Sequence, residues 1–74
     1  MENRAGAKQY RAEANAVKNP YTNPKNESQK AINTKFGELK KMIDSGYKLD
    51  VQTIKDEKLA SQISTYQQYA DAAR

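Results

Sequence analysis

The sequence predicts an all-α fold: an antiparallel helical hairpin over about residues 24–45 and 50–73, joined to a shorter N-terminal helix over about residues 4–18, together a small three-helix arrangement. Three observations carry this. Two stretches repeat apolar residues at helical spacing, a Ser-Gly-Tyr sequence separates them, and the hexapeptide Asn19-Pro20-Tyr21-Thr22-Asn23-Pro24 interrupts the chain before the first of them. Proline disfavours helical geometry in the residue preceding it, so each Asn-Pro step is a boundary.

The first segment, Arg4 to Lys18, is rich in alanine, which forms helix readily because it loses no side-chain rotamer freedom. Ala7, Tyr10, Ala14 and Val17 fall on one face, but two of the four offer only a methyl group. A short helix with so little apolar grip is marginal alone. Residues 19–23 then form a linker, short enough to let this helix fold back and stiff enough to let it project as an arm. The burial of Tyr21 distinguishes the two.

The second helix is expected to begin at Asn23-Pro24, since asparagine caps free amides and proline at the first helical position sacrifices no hydrogen bond. Ile32, Phe36, Leu39 and Ile43 form its stripe. Gly46 supplies the left-handed residue that closes it, with Tyr47 placed to contact Met42. The third helix is expected to start at Asp50 or Thr53, with the stripe Leu59, Ile63, Tyr66, Ala70 and Ala73. Val51 and Ile54 lead that stripe out of phase, which predicts a broad face near the turn or a break around Lys55 to Lys58. A tight turn would align the two seams with Ile32 opposite Tyr66, Phe36 opposite Ile63, Leu39 opposite Leu59 and Ile43 opposite Ile54.

A chain of 74 residues is a single domain, near the lower size at which one core offsets chain entropy, so the surface a hairpin leaves open is to be covered by the N-terminal helix folded back, a second copy of the chain or a foreign partner. It has neither cysteine nor histidine, which removes disulfides, thiol nucleophiles, zinc fingers and imidazole acid-base chemistry. Asp56 and Glu57 are neighbours and diverge by about 100° on a helix, so they are not paired for acid-base catalysis. No catalytic, cofactor-binding or metal-binding residues are assigned: the expectation is a non-enzyme without cofactor, small-molecule substrate or membrane contact. With no apolar run after Met1, a soluble, cytoplasmic protein is the default reading.

Charge is uneven. Residues 1–41 hold nine lysines and arginines against four acids, residues 42–74 four against five. The lysines of the second helix scatter around it, and Glu27 and Glu38 precede Lys30 and Lys41 by three positions, the pattern of a solvated helix. Nucleic-acid binding through the basic front half, with Arg4, Lys8, Arg11 and Lys18 ordering on a phosphate backbone, is the alternative function. Self-assembly into a structural oligomer is another.

The favoured function is protein binding by helix-mediated contact. The window Leu59 to Ala70 has no charged residue on any face, and charge depletion with tyrosine is the composition of an interface core. Gln62, Thr65, Tyr66 and Tyr69 on that window, with Tyr10 and Tyr21, are the candidate contacts, toward the chain's own first helix, a second copy or a target. In style the chain is similar to accessory proteins of phages and mobile elements, such as host-enzyme inhibitors or minor virion components, although no motif carries the similarity.

Overall fold

The computed structural model describes residues 4–74, and the side chains from residue 6 onward. It is all-α. Helix α1 (Arg4–Ala16), helix α2 (Glu27–Asp44) and helix α3 (Glu57–Ala73) are joined by the linker and by a connection containing a short 3₁₀ turn, Val51–Thr53. Helix α3 is the central element, and both α1 and α2 pack against it. The first helix is therefore folded onto the bundle rather than held out as an arm.

Helix α1 runs antiparallel to α3. Tyr10 meets Tyr69 toward one end with ring centroids 6.5 Å apart. Beyond the other end of α1, the Tyr21 hydroxyl donates to Asp56, which caps α3, at 3.3 Å. Ala14, the one fully buried residue of α1 among those described, sits between these two contacts. The weak methyl face anticipated from sequence is thus supplemented by aromatic contacts at both ends.

The start of α2 differs from the sequence expectation. The cap is Asn26, whose side chain accepts from the Gln29 amide at 2.8 Å, and the helix begins at Glu27 instead of Pro24. The Gln29 side chain in turn accepts from the Lys25 amide at 2.8 Å. Asn26 gains this reciprocal arrangement because a glutamine stands three residues later, a variant of the capping box that Asn23 lacks. The non-helical linker accordingly extends past Asn23 and Pro24 to Asn26.

The stop of α2 is as expected. Gly46 has φ +99°, the Tyr47 amide donates to the Met42 carbonyl at 3.1 Å, and the Gly46 amide donates to Ile43 at 2.9 Å. These are the paired bonds that close a helix through a left-handed residue. Tyr47 and Met42 nevertheless both remain exposed.

The third helix is broken where the hydrophobic phase slips. Asp50 caps the 3₁₀ turn by accepting from Gln52 at 3.1 Å, and Asp56 caps α3 by accepting from Leu59 at 2.9 Å. Between them Ile54 is extended, so the expected 50–73 helix is two pieces. The expected seam register fails with it. Tyr66 lies at Asp44 and Lys40 near the end of α2, not at Ile32. The expected antiparallel hairpin is not formed: Leu49 bonds to Gln67 and Ile54 lies beside Leu59, so the connection from Ser45 to Asp56 runs back along the bundle and α3 then ascends beside α2 in the same direction, Leu59 near Leu39 and Tyr66 near Asp44.

The core reflects that placement. Phe36, Leu39 and Ile43 are buried from α2, and Leu59, Ile63, Tyr66 and Ala70 from α3. Ile32, nearer the start of α2, is only half-buried. No charged side chain among the described residues is buried. No described helix is long and apolar enough to cross a membrane.

Candidate functional site

The uncharged window of α3 is explained largely by the chain itself. A helix flanked on two sides by its neighbours has little solvated surface on which to carry charge, and a buried charge is costly unless paired. Tyr66 is 1% exposed and is a core residue, so its side chain is not available to an outside surface. Tyr69 packs on Tyr10 of α1. Gln62 and Thr65 are half-buried, and the Thr65 hydroxyl donates back to the Ser61 carbonyl at 3.0 Å. Of the candidate contacts, Tyr10 presents the most surface, at 44% exposure, while Tyr21 is half-buried.

One polar cluster joins all three helices. Asp44 of α2 accepts from the Tyr66 hydroxyl of α3 at 2.6 Å and from the Arg11 guanidinium of α1 at 3.1 Å, through the same carboxylate oxygen. Burial pushes the Tyr66 phenol up to about 12, and the hydrogen bond to Asp44 and its negative charge act in the same direction, partly offset by Arg11. The Lys40 ammonium stands 4.7 Å from the Tyr66 ring centroid and 5.4 Å from that of Phe36, positions in which a cation is attracted to the ring face. Tyr21 is also shifted upward, by burial and then by the charge and hydrogen bond of Asp56.

Arg11 is engaged with Asp44, Lys8 and Lys18 are exposed, and the Arg4 side chain lies outside the described residues. On α2 the Glu27–Lys30 pair anticipated from sequence forms at 3.7 Å.

An apolar groove lies elsewhere, between α2, the connection and the start of α3. A groove of roughly 410 Å³ is floored by Leu39 of α2, Leu49 and Ile54 of the connection and Leu59 of α3. Lys35 and Lys55 stand on its rim with Asp50 and Thr53. The 3₁₀ turn packs against α3, and the Gln67 side chain ties the connection to that helix by accepting from the Leu49 amide at 2.7 Å and donating to the Leu49 carbonyl at 3.2 Å. The Thr53 hydroxyl is occupied with the Asp50 carbonyl at 2.8 Å. Neither Lys35 nor Lys55 pairs with a carboxylate among the described residues.

Sequence reasoning did not single out this site. Its one signal was the five-residue step from Ile54 to Leu59, which takes Ile54 out of the α3 stripe and leaves it facing the gap between the connection and α2. Compared with known proteins, the chain matches no protein-family model, no curated protein and no solved structure.

Proposed function

We propose that this chain is a small non-enzymatic protein-binding module, which acts by presenting the groove between α2 and the 45–56 connection to another protein. The carrying observation is that Leu49 and Ile54 are held on a structured connection yet remain only half-buried, flooring an open groove beside the closed core. Leaving aliphatic side chains partly in water forgoes about 25 cal/mol for each Å² that burial would recover, and a partner that covers them recovers it. An accessory role, inhibiting or anchoring a larger enzyme or assembly, fits a module of this size.

Affinity capture from the native cell tests the proposal, using the intact chain and an Ile54→Gln variant whose helicity is checked by circular dichroism. A protein species retained by the parent chain and lost with the variant supports the reading. Retention of nuclease-sensitive material in place of protein, or equal retention of the same protein by both chains, overturns it.

A further inference from the structure

The groove also carries information about the chemistry of its occupant. Its floor is aliphatic, and the polar groups beside it are turned partly to the connection itself: the Thr53 hydroxyl donates to the Asp50 carbonyl, and one oxygen of the Asp50 carboxylate accepts from the Gln52 amide. A pocket for a small polar ligand needs convergent hydrogen-bonding groups to fix orientation. An aliphatic floor with charges only on the rim suits a side-chain anchor whose neighbours supply the charge, which is how amphipathic segments dock in grooves. The rim holds two ammonium groups, Lys35 and Lys55, against one carboxylate, Asp50, an excess of one positive charge.

Resting on the protein-binding reading above, we infer that the partner presents an acidic amphipathic segment, with one or two large aliphatic or aromatic residues seated on Leu39, Leu49, Ile54 and Leu59 and flanking Asp or Glu carboxylates meeting Lys35 and Lys55. Charge complementarity selects this occupant. A second copy of the chain would bring a surface of net charge +4 against a basic rim. The exposed large apolar residues it could insert include Met42, which follows Lys40 and Lys41 in sequence, and Tyr47, which precedes Lys48. Like charges brought together across an interface oppose association.

The test selects random linear peptides from a displayed library against the full chain. Each selected peptide is then titrated into isotopically labelled protein while backbone amide shifts are followed. The expected result is a selected pattern of Leu, Ile or Phe flanked by Asp and Glu, with shifts centred on Leu49, Thr53 and Ile54. The double variant Lys35→Glu/Lys55→Glu, which alters only exposed rim positions, weakens such peptides by about tenfold or more, and Lys-flanked versions of the same peptides recover binding to it. Groove-shifting peptides with neutral or basic flanks, or affinity unchanged by the charge reversal, overturn the acidic partner while leaving the groove as a protein-binding surface. Selected peptides that leave the groove amides unmoved overturn both.

Discussion

The hydroxyl of Tyr66 donates to the carboxylate of Asp44 at 2.6 Å, and the same carboxylate oxygen holds Arg11. The two partners of the first bond are not equivalent. Asp44 is exposed and can be hydrated without Tyr66, whereas the otherwise buried Tyr66 depends on Asp44. Removing the hydroxyl in Tyr66→Phe is expected to cost about 1 kcal/mol, whereas Asp44→Ala, which strands the hydroxyl and releases Arg11, is expected to cost about 2–3 kcal/mol. Urea denaturation of both variants measures the asymmetry. Equal costs would mean that water replaces Asp44 at the phenol.

The same bond predicts an alkaline limit. The Tyr66 phenol is raised to about 12 in the folded chain, against an ordinary value near 10 for an unfolded tyrosine. A group raised by folding contributes its full stability below the unfolded value and loses it as pH rises through the folded one. Stability should therefore fall between about pH 10 and pH 12, by on the order of 2 kcal/mol from this group. The quantity that isolates this group is the difference between the parent and Tyr66→Phe. The parent should have the higher thermal midpoint at pH 9 and lose that advantage, or fall below Tyr66→Phe, by pH 11.5, and a constant gap would remove Tyr66 as the cause.

Two glycines should respond in opposite directions to alanine. Gly37 lies in the middle of α2, and a Cβ built there meets no atom within 4 Å, so it gives α2 flexibility with no packing benefit inside the chain. Gly37→Ala is expected to stabilise by about 0.5–1 kcal/mol. At Gly46 there is equally open space, but φ is +99°, which a side chain rarely adopts, so Gly46→Ala is expected to destabilise by about 1 kcal/mol or more. Differential scanning calorimetry of the pair separates backbone conformation from steric room.

The start of α2 offers a direct check on capping. Asn26→Ala removes the acceptor of the Gln29 amide and should cost about 1 kcal/mol, while Asn23→Ala, three residues earlier in the linker, should change stability by less than about 0.5 kcal/mol. The reverse order in chemical denaturation would place the helix start at Pro24.

How much of this was legible in sequence follows from the range of the interactions involved. The helices and the stop at Gly46 are set by neighbours within a turn or two, so the stripes Phe36-Leu39-Ile43 and Leu59-Ile63-Tyr66 and the Ser45-Gly46-Tyr47 stop identified them. The choice of Asn26 over Asn23 was also local, and was carried by Gln29 rather than by proline. Register was a different matter. Any two helical stripes align in some register, and only the path of the connection decides which, so Tyr66 could be placed in the core but not at Asp44. The groove was illegible for the same reason: Lys35 and Lys55 come to line one groove only through the path the connection takes between α2 and α3.

The docking of α1, one of the two arrangements the short linker allowed, rests on small residues. Ala14 is fully buried in the core that α1 shares with α3, and Tyr10 and Tyr21 hold the two ends. A close approach built on a methyl group has no room for a longer side chain. Ala14→Leu should therefore destabilise the chain by about 1–3 kcal/mol despite its added apolar surface, because overpacking outweighs transfer at a closed site. The local consequence should exceed the global one. With the rest of the core formed by α2 and α3, α1 can open as a unit, so amides of α1 should lose hydrogen-exchange protection before those around Ile43 and Ile63. Uniform loss across all three helices would instead show that α1 folds cooperatively with the rest, and that the contacts of Tyr10, Ala14 and Arg11 belong to a single all-or-none core.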